Sequence, residues 1–168
     1  MKKLLVTLAL SLFSISSIAD SGLYGGVGFS SISLDGTDVD FDAYIFILGY
    51  KVNSMLSIEG RYIDVPNAEP GDGVQLDLDD VYSAYVMVTL PMSDKVNPYF
   101  MAGATHARAT VAEYSYYDES VEISDSYTAS SYGMGLKYDI SSTFTVRAEF
   151  SQLIDDVSQT GIYVTGKF

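Results

Sequence analysis

Gly161-Ile-Tyr-Val-Thr-Gly-Lys-Phe168 is the stretch on which the fold turns. Alternation along an extended chain sends Ile162, Val164 and Phe168 to one face, interrupted by Gly166, and Tyr163, Thr165 and Lys167 to the other. One face is apolar and the other polar. A last strand ending on an aromatic residue, with no polar tail behind it, fits a strand that must close against the first one, since closure removes both sheet edges at once.

Seven more segments share this character, at roughly 22–30, 41–50, 55–63, 81–90, 98–107, 128–138 and 143–151. Each approaches the ~9–11 residues that a tilted strand needs to cross hydrocarbon. The connections alternate in length. Lys51 to Ser54, Pro91 to Asn97 and Asp139 to Ser142 are short and rich in Asn, Asp, Ser and Pro, whereas 31–40, 64–80, 108–127 and the shorter 152–159 form the other set. Such a pattern predicts an all-β, eight-stranded antiparallel up-and-down transmembrane β-barrel with two unlike rims.

The N-terminus assigns the route. Lys2-Lys3, an apolar run from Leu4 to Phe13 and small residues up to Ala19 read as a secretory signal peptide over 1–19, leaving 20–168 as one barrel domain. About ten apolar residues are too few to span a bilayer as a helix. Cysteine is absent although the compartment permits disulfides. Without the signal the chain carries 7 basic and 22 acidic residues, a formal charge of 7 − 22 = −15, which argues against nucleic acid as a partner.

Charge and grease are segregated. The four connections of the second set, with their margins, hold 17 of the 22 acids, among them Asp35, Asp38, Asp40, Asp42, Asp77, Asp79, Asp80, Asp155 and Asp156, opposed there only by Arg108. Lys51, Lys95, Lys137 and Lys167 gather at the short-turn end. Outward positions such as Leu48, Tyr50, Ile58, Val86, Phe100, Met134, Leu136, Phe150 and Ile162 make a belt that would aggregate in water and suits lipid. Tyr50, Tyr138 and Phe168 fall near the short-turn rim as a headgroup girdle. The inward set is small or polar, except in the second segment, where Ile45 and Ile47 would also point inward.

Four inward charges lie on strands that stand opposite each other. Counting from the preceding turns aligns Glu59 and Arg61 with Arg147 and Glu149, which predicts the pairs Glu59–Arg147 and Arg61–Glu149, because a narrow interior penalises any unpaired charge. With Lys137 they make up an expected polar network that plugs the lumen, the alternative being a gated passive pore.

Other sites are weighed against plainer readings. His106 is the sole histidine, and Thr105-His106-Ala107-Arg108 puts no nucleophile two residues beyond it, so catalysis is not expected and an interfacial role is. Asp35 to Asp42 alternates oxygen ligands but lacks the spacing and final Glu of a calcium loop, which favours a solvated acidic loop with diffuse divalent-cation bridging to lipopolysaccharide. Tyr114, Tyr116, Tyr117 and Tyr127 in the 108–127 region are candidates for surface recognition of a host or matrix. No cofactor or metal is expected, and the barrel reads as a monomer.

In the order and spacing of Tyr24-Gly-Gly-Val-Gly-Phe29, Leu48-Gly-Tyr50, Pro98-Tyr-Phe-Met-Ala-Gly103, Gly133-Met-Gly-Leu-Lys-Tyr138, Arg147-Ala-Glu-Phe150 and terminal Phe168, the chain resembles the small OmpA/OmpX/Opa-like, porin-like outer-membrane barrels. The resemblance implies integral residence in the outer membrane of a Gram-negative cell. It also implies that the last strand, through Ile162, Val164 and Phe168, is read by the barrel assembly machinery. Two positions depart from the pattern: Gly166 stands where an aromatic is frequent, and Met101 where glycine is, which would crowd the lumen.

Overall fold

A computed structural model describes residues 22–34, 36, 40–66, 75–113 and 121–168. Eight strands follow one another: β1 (Leu23–Leu34), β2 (Asp40–Lys51), β3 (Leu56–Asp64), β4 (Gln75–Thr89), β5 (Val96–Glu113), β6 (Val121–Asp139), β7 (Phe144–Ile154) and β8 (Val157–Lys167). Each pairs antiparallel with its neighbours, and β1 pairs with β8 to close the barrel. At the seam Val27 faces Val164 and Gly25 faces Gly166, and the Phe168 amide donates to the Leu23 carbonyl at 3.3 Å.

The short turns share one device. In each, an Asn or Ser side chain accepts from backbone amides that the ladder leaves over: Asn53 from Met55 and Leu56, Asn97 from Met92 and Ser93, Ser141 from Thr143 and Phe144. These residue types therefore fix the three reversals.

At the opposite rim the expected connections need correction. The 108–127 region is mostly ladder: β5 runs on to Glu113 and β6 starts at Val121, with Glu113 paired to Val121. Likewise β4 begins at Gln75, inside the expected 64–80 connection, and pairs as far as Ala112 of β5. Acidic composition marked these stretches as loops, but they alternate apolar and polar residues, as in Val121-Glu-Ile123, and a neighbouring strand supplies their hydrogen bonds. The 152–159 connection is a two-residue reversal, Asp155-Asp156, in which Asp156 takes a left-handed backbone at φ 64°. Asp tolerates that region better than most residues.

Outward residues bear the apolar belt. Ile162, Tyr132, Leu48, Met134 and Leu136 all expose more than half their surface, which lipid and not water must cover. Tyr62 stacks against Tyr82 at 5.2 Å between centroids, and Phe29 meets Tyr44 edge-on at 5.9 Å, so the belt is cross-linked by aromatic contacts along the sheet. Inside, glycines face tyrosines. A Cβ on Gly49 would lie 2.2 Å from the Tyr24 ring, and one on Gly28 would lie 2.2 Å from the Tyr163 ring. Without those glycines the lumen could not hold the rings that fill it.

Candidate functional site: the barrel lumen

Because β3 and β7 lie across the barrel from each other, their inward residues meet in the middle. Glu59, Arg61, Arg147 and Glu149 are each at least 96% buried, with exposures of 1, 3, 1 and 4%. Arg61 grips Glu149 through both amino groups, Nη1 to Oε1 at 2.5 Å and Nη2 to Oε2 at 2.9 Å. The same guanidinium donates sideways to Glu59, from Nε at 3.1 Å and Nη2 at 2.9 Å. Arg147 donates from Nη1 to the other oxygen of Glu59. The four charges thus form a chain, Glu149–Arg61–Glu59–Arg147, in which the link between Glu59 and Arg61 on one strand was not anticipated.

Tyrosines complete the shell. Tyr24 donates to Glu59 at 2.7 Å and Tyr99 donates to Glu149 at 2.6 Å. Arg61 lies over the rings of Tyr85 and Tyr163 at 4.8 and 5.4 Å, and Arg147 over Tyr163 and Tyr99 at 5.7 and 5.9 Å. Met101 and Met87 fill beside them, each offering a sulfur to one arginine. Met101 points inward, at 3% exposure, where the motif pattern would place glycine.

Lys137 makes no ion pair with this chain. Its ammonium donates to Thr89 at 2.9 Å and rests 4.9 Å from the Tyr99 ring, with no carboxylate in ion-pair reach among the described residues. It adjoins the four central charges through Arg147, its ladder partner, and the Tyr99 ring that both cations face, and it lines the short-turn mouth. There a cavity of about 130 Å³ is bounded by Lys51, Lys137, Lys167, Thr145, Thr165 and, at its inner end, Arg147.

Towards the other rim the lumen turns apolar. Ile32, Ala43, Ile45, Ile47, Ile63, Val65, Val81 and Leu153 pack together over Tyr163, each at most 8% exposed. Ile45 and Ile47 were expected inward, and Ala43, Ile63 and Val81 share that inward parity within the expected strands. Ile32, Val65 and Leu153 continue the inward alternation past the expected strand ends: Ile32 lies four residues beyond Gly28, Val65 four beyond Arg61, and Leu153 two beyond Ser151. Extending the two-residue period into the supposed loops would have found them. Between cap and charges, Ser83, Thr105 and Ser131 form a hydroxyl chain, and Gln159 donates to Ser30 at 2.8 Å.

Of the remaining candidates, those among the described residues lie outside the lumen. His106 Nδ1 shares a hydrogen bond with Thr128 at 2.8 Å, on the strand face opposite buried Thr105. Tyr127 is 56% exposed on β6, while Tyr114, Tyr116 and Tyr117 lie outside the described residues, as do Asp35 and Asp38. Among the described residues no three acidic or histidine side chains converge as metal ligands would. Ile162 and Val164 face outward, and the Phe168 ring lies where a Cβ on Gly25 would be 3.0 Å from it.

A closed sheet of eight antiparallel strands, greasy on its outer face and with buried charges inside, every strand of spanning length, is the architecture of a small bacterial outer-membrane barrel. The sequence matches the outer membrane protein beta-barrel domain over residues 5–166, and the chain belongs to that family. No curated protein matches at a significant level. Among solved structures the fold is similar to Neisserial surface protein A, at 17% identity and TM-score 0.66 over 88% of this chain and 98% of that one. It is also similar to the N-terminal β-barrel domain of Pseudomonas aeruginosa OprF, at 18% and 0.62 over 89% and 100%. Ail, the attachment invasion locus protein of Yersinia pestis, aligns at 22% and 0.60 over 87% and 95%. A further Ail structure, at 22% identity, contains the heparin analogue sucrose octasulfate.

Proposed function

We propose that this chain, after removal of residues 1–19, is a monomeric barrel in the outer membrane of a Gram-negative cell, with a lumen closed to ions and a role in structure or surface contact, not catalysis. The observation that carries this reading is the filling of the lumen, by the chain of four paired charges at mid-height and the apolar cap above it. An ion crossing would have to displace the buried pairs and then pass hydrocarbon side chains, each step costing several kcal/mol. Planar bilayers containing the purified protein should stay electrically silent. Single-channel steps that change with Arg147→Ala would instead establish the passive pore.

Surface contact falls to the acidic rim. Its charge repels polyanions, so a ligand of the kind held by the Ail structure, a sulfated sugar, suits this rim poorly. Divalent cations bridging to lipopolysaccharide, or a cationic host or matrix surface met by Tyr127 and the 114–117 tyrosines, suit it better. Protease added to intact cells should cut in the 114–120 region and spare the short turns. Deleting that region should reduce attachment to cells or matrix if it is adhesive. Docking of the last strand by the assembly machinery, through Ile162, Val164 and Phe168, predicts that removing Phe168 lowers the yield of folded barrel.

A further inference from the structure

The short-turn mouth holds more positive charge than its surroundings neutralise. Lys137 and Arg147 are direct partners in the β6–β7 ladder and both point inward, so two like charges face each other across one strand gap. Such a pair is destabilising unless something compensates each member. Glu59 compensates Arg147, but Lys137 has only the Thr89 hydroxyl and the Tyr99 ring. Arg147 is 1% exposed, lines the cavity, and has no hydrogen-bond partner on Nε or Nη2 among the described residues.

The full charge balance points the same way. The four central charges sum to zero. Around the cavity Lys51, Lys137 and Lys167 stand against Asp139 alone, whose Oδ1 is held by Thr145 at 2.5 Å, leaving an excess of two positive charges, or one if Phe168 carries a terminal carboxylate. Thr143 and Thr165 add hydroxyls to the wall. A space of about 130 Å³ exceeds what a single water needs and admits a tetrahedral oxyanion.

We propose that this periplasm-facing mouth is a binding site for a small oxyanion, of the phosphate or phosphomonoester class, seated between Lys137 and Arg147. Ammonium and guanidinium donors at fixed positions in a half-desolvated recess are the usual means of holding such a group. The ligand is a solute, since the cationic wall is built from short-turn residues and from Lys137, Thr145, Arg147 and Thr165 on the inward face.

The test is a titration of the full barrel in zwitterionic nanodiscs with inorganic phosphate at constant ionic strength, read by amide NMR. Saturable shifts at Lys137, Thr145 and Thr165 are expected. Lys137→Met should weaken the apparent affinity about tenfold, the loss of one charge-assisted hydrogen bond. Lys95→Met, at the same rim but outside the cavity wall, should leave affinity within about twofold. Shifts that grow linearly without saturating overturn the site, as does equal weakening by both variants, which marks diffuse attraction. Shifts appearing only when phosphatidylglycerol is added to the nanodisc also overturn it, because the anion would then be a headgroup. Should Lys137→Met fail to fold, Lys51→Met and the wild-type titration decide alone.

Discussion

Two neighbouring parts of one lumen are filled in opposite ways. On β3, Glu59 and Arg61 belong to a chain of charges in which each link depends on the next, while Ile63 and Val65, only a turn of the pleat further on, sit in an apolar cluster that asks only for volume. The charged part demands position: Arg61 serves two carboxylates at once and cannot move towards one without leaving the other. The apolar part tolerates exchange among side chains of similar size. Mid-height thus fixes the positions of its side chains, and the rim above fixes only their volume.

The largest expected break in this contrast is Arg147→Met, which strands Glu59 in the lumen and should cost about 3–5 kcal/mol in urea unfolding from lipid vesicles. Adding Glu59→Gln in the same molecule should recover part of that loss, since a neutral pair is cheaper to bury than one unpaired charge. If the double variant is as unstable as the sum of the singles, the chain of charges is not the coupled unit described here.

Ile63→Ala should cost about 3 kcal/mol by the same assay, from lost contacts and an unfilled cavity in the cap. Unlike the charge variants, it should be partly rescued by Ile63→Leu, which keeps the volume. Failure of that rescue would mean that the cap too is tightly specified.

The outer wall sharpens the comparison from the other side. Ile162→Arg places a cation on the lipid face, at a side chain 64% exposed outside the protein, and should cost about 2 kcal/mol in vesicles. In detergent micelles, which deform around a charge more readily, the penalty should shrink, whereas that of Arg147→Met should not. Smallest of all, Tyr127→Ala on the exposed rim should change stability by less than about 0.5 kcal/mol, even if it alters attachment.

Much of this was legible in order along the chain. The alternation of Tyr82 to Leu90 and of Gly133 to Tyr138 assigns inside and outside directly, because the pleat reverses side chains at every step. Meeting of Glu59 with Arg147 followed from counting residues up from two turns. Illegible were the cap residues Ile32, Val65 and Leu153, which lie in stretches whose acidic neighbours suggested loop. That Lys137 bonds Thr89 and not a carboxylate was equally hidden, since a shared inward parity does not say which polar atom each side chain reaches.

By itself, then, the sequence determined which residues share each face of every strand, since a two-residue period separates apolar from polar side chains whichever solvent they meet. The tertiary structure alone decided which inward side chains touch. The reach of the side chains lets Arg61 serve Glu149 across the lumen and Glu59 two residues away on its own strand, while Lys137 has no carboxylate in ion-pair reach among the described residues.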